Sequence, residues 1–256
     1  MFIMDDGIRL NLKLDMPDRM TEGKCPIVIV IHGFTGHMEE RHITAVSRTL
    51  SEAGCAVLRA DMYGHGKSGG EFGKHTLYKW LTNAMTVIDY ARDLDFAADI
   101  YLCGHSQGGL TVMLAAAMKH DEISGLIPLS PAWMIPEQAR QGIILGQHFD
   151  PDNIPDVIPP WRYTGLEGNY LRVAQTLHVE DAIDRYHGPV LIVHGEEDGD
   201  VPVHYSVEAA RRYRSARLVL IPGDTHCYDY HLDKVTEAVK AWISEQIRAR
   251  NPYAGG

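Results

Sequence analysis

Paired cysteines are missing from this sequence. Cys25, Cys55, Cys103 and Cys227 are scattered and never form a C-x-x-C pattern. A disulfide framework and a finger-type zinc site are therefore excluded, and four reduced thiols are expected. Long hydrophobic runs are missing too: no apolar stretch approaches the ~18–20 residues of a membrane-spanning helix. Positive charge is in deficit, with 24 Lys and Arg against 34 Asp and Glu and a formal net charge of −10. Without a basic run to neutralise phosphates, nucleic acid is not an expected partner. The opening Met1 to Gly7 lacks a basic stretch followed by an apolar core, so no secretory leader is read there and a cytoplasmic location is the expectation.

What is present suits one globular α/β domain: 256 residues, 45% hydrophobic and 23% charged. Ile8, Leu10, Leu12, Leu14 and Met16 alternate with polar residues, the period of a half-buried antiparallel strand. Short apolar runs follow at Ile27–Ile31, Ala56–Leu58, Ile100–Cys103, Leu126–Leu129, Val190–Val193 and Leu218–Ile221. Such runs predict central strands of a parallel sheet buried on both faces. Helical stripes lie between them: Ile43, Val46, Leu50 and Ala53, ending at Gly54; Leu77, Leu81, Ala84, Ile88 and Ala91; and Val235, Trp242, Ile243 and Ile247. The alternation predicts a mostly parallel, doubly wound sheet. The proline-rich stretch 131–186 breaks this rhythm. It reads as an inserted cap over the site, with the core formed by 1–130 and 187–250 and a frayed tail at 251–256.

The chemistry concentrates at strand ends. Gly104-His105-Ser106-Gln107-Gly108 falls between the Ile100–Cys103 run and the alanine-rich helix Leu110–Met118. That is the strand, sharp turn and helix of a nucleophile elbow, with glycines flanking a strained Ser106. A serine hydroxyl needs a base, and the base needs an orienting acid. Asp198 follows the Val190–Val193 run and His226 follows Leu218–Ile221, giving the chain order Ser, Asp, His of α/β hydrolases. Glu196, Glu197, Asp198 and Asp200 crowd the same loop. Asp198 is preferred because it resembles the acid of the family pattern H-G-x-x-D-x-x-V-P, in which the Val-Pro begins the next helix region. Asp200 is the reserve, and Asp224 reads as a turn residue. His32-Gly33-Phe34-Thr35-Gly36 reads as an oxyanion loop, with the backbone N–H groups of Phe34 and Gln107 as donors. The stretch Asp61 to Ser68 contains a Gly-Lys-Ser, yet Asp61 stands where a phosphate loop needs its first glycine, so nucleotide binding is not expected. The spacing of His226, Asp229 and His231 fits no common zinc signature, so no metal and no cofactor are expected.

The stretches I-V-I-H-G-F-T-G-H, R-A-D-M-Y-G-H-G-K-S, C-G-H-S-Q-G-G, P-L-S-P-A, V-L-I-V-H-G and P-G-D-T-H-C-Y resemble those of bacterial cinnamoyl (feruloyl) esterases of the α/β-hydrolase fold. The resemblance runs from Ile8 to about Ile247. It implies an acyl-enzyme esterase acting on a small aryl ester, with a small cap inserted after the sixth strand and no cofactor. It further implies that Tyr170 approaches the phenolic ring, that Trp161 is a cap aromatic near the entrance, and that a homodimer forms. Some members have a carboxylate and an amide facing the phenol hydroxyls. This chain has Gln138 and Leu145 there, so ring selectivity is expected to rest on shape. A general carboxylesterase or monoacylglycerol lipase is the rival enzyme reading, and a noncatalytic hydrolase-fold binding protein is the rival from another class.

Overall fold

The computed structural model describes residues 1–18, 20, 23–158 and 165–250. The chain opens with β1 (Phe2–Asp5) and β2 (Ile8–Asp15), then β3 (Cys25–Ile31), α1 (Arg41–Glu52), β4 (Ala56–Ala60), α2 (Leu77–Arg92), β5 (Ala97–His105), α3 (Gln107–Met118) and β6 (Ile123–Leu129). Next come α4 (Ile135–Arg140), the two-residue strands β7 (Ile143–Ile144) and β8 (Gln147–His148), α5 (Asn169–Gln175) and α6 (Val179–Arg185). The chain then returns through β9 (Val190–Gly195), α7 (His204–Arg212), β10 (Ala216–Ile221) and α8 (Leu232–Arg250). The main sheet has eight strands in the order β1-β2-β4-β3-β5-β6-β9-β10. From β4 to β10 all pairings are parallel, and β1 and β2 form an antiparallel edge.

The period-two side-chain alternation of a strand decides which residues meet which helix layer. In β3, Ile27, Ile29 and Ile31 join the layer packed with α2 and α3, while Val28 and Val30 face α1 and α8. All five are at most 1% exposed, and burial of each such side chain stabilises the fold by ~1.5–3 kcal/mol. Of the twelve residues of α3, eleven are buried, because sheet, α2 and α6 enclose it. A helix so enclosed cannot drift, so the residue at its N-terminus is held firmly. That residue follows Ser106.

Strand β1 and the hairpin of β7 and β8 were not foreseen from sequence. Strand β1 pairs with β2 through Asp6 and Gly7, both at positive φ, the geometry of a tight hairpin turn. Helix α7, in contrast, starts two residues after Val201-Pro202, where a helix was expected. The hairpin of β7 and β8 turns at Leu145 (φ 47°) and Gly146 (φ 77°). A leucine in left-handed backbone is uncommon, and this one lines the cavity described below. The segment between β6 and β9 thus carries its own short elements. They are tied down by hydrogen bonds from Arg140 Nη1 to the Leu177 carbonyl (2.8 Å) and from Trp133 Nε1 to the Tyr205 carbonyl (2.8 Å).

Candidate active site

Ser106 sits between β5 and α3 with φ 56° and ψ −120°, a conformation L-residues avoid. The turn closes because its neighbours lack side chains. A Cβ on Gly104 would lie 2.2 Å from the Gly108 carbonyl oxygen, and one on Gly108 would lie 2.3 Å from the His32 carbonyl oxygen. The Ser106 N–H donates to the Leu129 carbonyl (2.9 Å), and its own carbonyl accepts from the N–H groups of Leu110 and Ala132. Its side chain is left at the wall of a cavity, 8% exposed.

His226 reaches the same cavity from the loop after β10. Its Nδ1 donates to Asp198 Oδ2 at 2.7 Å, which leaves Nε2 as the nitrogen able to take a proton. The Asp198 side chain is fully buried. Burial by itself would raise its pKa. Hydrogen bonds from His194 and His226, the charge of His226 and the Val201 N–H outweigh that and hold the carboxyl well below the usual carboxylate range. The Asp200 and Val201 N–H groups donate to Oδ1 at 2.9 and 2.8 Å. The reserve residue Asp200 therefore serves Asp198 through its backbone. His194 Nε2 faces two acceptors, Asp198 Oδ2 at 3.1 Å and the Val201 carbonyl at 2.9 Å, so that nitrogen carries its proton. Asp224, read as a turn residue, is fully buried and accepts from the N–H groups of Thr225, Tyr230 and His231, which shapes the loop carrying His226.

The loop His32 to Gly36 lies against the elbow: a Cβ on Gly33 would come 3.1 Å from Ser106 Cβ. Gln107 opens α3, so its N–H is one that a helix start leaves without an intrahelical partner. Phe34 lines the cavity with its ring 6.2 Å from that of Tyr170 and 5.4 Å from that of His75. Two histidines hold this loop. His32 Nδ1 donates to the Gly33 carbonyl (2.7 Å), and His65 Nε2 accepts from the Thr35 N–H (3.2 Å). The motif Asp61 to Ser68 is structural, with the Asp61 carboxylate accepting from the N–H groups of Met38 and Lys67 and from Asn11 Nδ2. Nothing in the spacing of His32 and His65 announced their role, although both stand beside glycines of quoted motifs.

The cavity holds about 640 Å³, within the range of small-molecule sites. Its outer wall comes from the inserted segment: Ile135, Gln138, Ile143, Ile144, Leu145 and Tyr170. Tyr170 is 3% exposed, and its hydroxyl donates to Gln107 Oε1 at 2.7 Å. Gln107 Nε2, buried beside it, has no hydrogen-bond partner among the described residues. Trp161 lies outside the described residues.

Several buried histidines near the site stay neutral. Burial first, and then neighbouring imidazoles, push His32 and His75 down to about 3; burial, with His226 and Arg41, pushes His42 to about 4. An unfolded chain takes these protons near pH ~6.5. Their contribution to stability is therefore complete above that pH and is lost as pH falls toward the folded values. Each should cost ~2 kcal/mol by pH 5, so the midpoint of urea unfolding should drop sharply between pH 7 and pH 5. An unchanged midpoint would mean that these rings accept protons inside the folded protein.

A family model described as "Serine aminopeptidase, S33" matches residues 23–163. The chain belongs to this family of α/β hydrolases. This hydrolase is 62% identical to Est1E from Butyrivibrio proteoclasticus in a structure with ferulic acid bound. The TM-score is 0.94, and the match covers 96% of this chain and 99% of that one. It is also 24% identical over 272 residues to a monoacylglycerol lipase from Mycolicibacterium smegmatis, covering 94% of this chain and 95% of the relative. The human mitochondrial palmitoyl-protein thioesterase ABHD10 is 24% identical over 215 residues, covering 81% of the hydrolase and 69% of the relative. The hydrolase is a carboxylic ester hydrolase. Among the described residues, no helix is long and apolar enough to cross a membrane.

Proposed function

We propose that this chain hydrolyses hydroxycinnamate (feruloyl or cinnamoyl) esters through an acyl-enzyme on Ser106. The observation that carries the reading is the 62% identity, over nearly the whole chain, to a protein whose structure holds ferulic acid. The site supports it, since Ser106 and His226 line one cavity together with the aromatic rings of Phe34 and Tyr170, and the buried Asp198 accepts from His226 behind that wall.

In the proposed reaction Ser106 Oγ attacks the ester carbonyl carbon and its proton passes to His226 Nε2. The Phe34 and Gln107 N–H groups donate to the oxyanion that forms. The intermediate collapses, and the leaving alkoxide takes the proton from His226. Water, deprotonated by His226, then attacks the acyl-enzyme, and the acid leaves as Ser106 regains its proton. Asp198 keeps Nδ1 of His226 protonated throughout. No step needs a cofactor. Residues 131–186 act as the cap that encloses the acyl group, with Gln138 and Tyr170 among the residues facing it, and pairing with a second copy of the chain belongs to the same reading.

The Tyr170 hydroxyl is already committed to Gln107. Its role in this reading is to anchor the cap to the elbow while its ring faces substrate. Tyr170→Phe should lower kcat/KM for methyl ferulate and for p-nitrophenyl butyrate alike by ~10-fold, as expected when a buried amide oxygen loses its donor. A loss confined to ferulate would instead make the hydroxyl a contact to the ring.

The aliphatic wall of Ile135, Ile143, Ile144 and Leu145 favours a second reading, a general carboxylesterase or monoacylglycerol lipase. Comparing kcat/KM for methyl ferulate, p-nitrophenyl butyrate and a long-chain monoacylglycerol separates the two. Preference for ferulate is the expected result, and preference for either aliphatic ester would move the substrate class.

A further inference from the structure

Directly behind His226, three side chains from separate elements turn their ligating atoms toward one point. His42 of α1, His105 at the end of β5 and Cys227 next to His226 place a nitrogen, a nitrogen and a sulfur all within 4.8 Å of one another. His42 Nε2 and His105 Nδ1 are 3.1 Å apart. Two nitrogens on one tetrahedral zinc ion, each ~2.0–2.1 Å from it, are themselves separated by ~3.3 Å. The two imidazoles therefore already stand at nearly the spacing a metal demands.

The surroundings match a ligand set as well. His105 Nε2 donates to the His226 carbonyl at 2.8 Å, the outer hydrogen bond to a backbone carbonyl that fixes the tautomer of metal-bound histidines. It leaves the Nδ1 lone pair facing His42 and Cys227. Both rings are 3% exposed, and burial first of all keeps them neutral, the form that binds metal. Burial first, and then the carboxylates of Glu40, Asp229, Asp200 and Asp198, push the Cys227 thiol up; the same negative charges attract a cation. Arg41 and His226 are the positive groups that act on His42. Cys227 lines the active-site cavity, which supplies an entry path and an open fourth position.

We propose that His42, His105 and Cys227 form a binding site for a thiophilic divalent cation such as Zn²⁺, and that its occupancy inhibits the hydrolase. On binding, His42 moves its proton from Nε2 to Nδ1, and Cys227 releases its thiol proton to solvent. One proton leaves per ion, so affinity rises with pH. Drawing Cys227 and His105 together shifts the backbone of His226, which one of them adjoins in sequence and the other holds by its carbonyl. The binding half of this inference stands apart from the substrate reading, and the inhibitory half rests on the role of His226.

The test uses ZnCl₂ and CoCl₂ on the intact protein. The expected results are one Zn²⁺ per chain, one proton released, and a near-ultraviolet thiolate charge-transfer band with Co²⁺. Hydrolysis of p-nitrophenyl butyrate should fall over the same zinc concentrations and return with EDTA. Cys227→Ser should abolish the cobalt band, and Cys227→Ser and His42→Asn should each weaken zinc binding by at least ~10-fold. No binding to the wild-type protein would overturn the proposal. So would binding that survives both substitutions but is lost in Asp198→Asn, which would place the ion on the triad instead.

Discussion

Replacing Ser106 by alanine should lower kcat by ~10⁶ while leaving the thermal midpoint nearly unchanged. The backbone of the elbow is held by the Leu129 carbonyl and by N–H groups of Leu110 and Ala132, and none of these bonds involves the hydroxyl. Ser106→Gly sharpens the test. The φ of 56° and ψ of −120° cost a side-chain-bearing residue ~1–3 kcal/mol, and glycine is free of that penalty. Set against the ~0.5–1 kcal/mol that glycine loses in entropy on folding, the glycine variant should be inactive yet ~1 kcal/mol more stable than wild type. Cys227 also lines the cavity, but its thiol is pushed up to about 12, first by burial, and is not a ready substitute. Near wild-type turnover in Ser106→Ala would overturn the acyl-enzyme on Ser106.

Asp198→Asn should lower kcat by ~10⁴, and the hydrogen bonds say why. The carboxylate accepts from two backbone N–H groups at Oδ1 and from His226 and His194 at Oδ2. The backbone donors cannot turn away, so an asparagine must place its oxygen there and its NH₂ toward both histidines. His226 then loses its acceptor at Nδ1 and shifts its proton to Nε2. That presents an N–H, instead of a lone pair, to Ser106. Asp200→Asn keeps the backbone N–H that supports Asp198 and should change kcat by less than ~3-fold, within the range of ordinary surface substitutions. A larger loss in Asp200→Asn than in Asp198→Asn would reassign the acid.

The strands were legible because burial on both faces leaves a short continuous apolar run, as in Ile27–Ile31 and Val190–Val193. The elbow was legible because its chemistry is local: five consecutive residues contain both glycines that a close turn requires. His226 could be named from its strand end and chain order, whereas Asp198 stood out from the other carboxylates of its loop only by resemblance to the family pattern. Strand β1 was not legible, because its four residues show no alternation of apolar and polar side chains and only the Asp6-Gly7 turn marks the pairing with β2.

By itself, then, the sequence determined the doubly wound sheet, the insertion after β6 and the identities of the serine, acid and base candidates. The sheet and the elbow follow from periodicity and turn chemistry, which act over a few residues, and the choice of acid from the family pattern that its loop resembles. Only the tertiary structure decided that Tyr170 holds Gln107 across 63 positions, that His65 supports the loop His32 to Gly36, and that His42, His105 and Cys227 converge behind His226. Those contacts depend on which faces of distant elements pack together. A side chain's partner across a sheet or beneath a helix is set by that packing, and no local pattern records it.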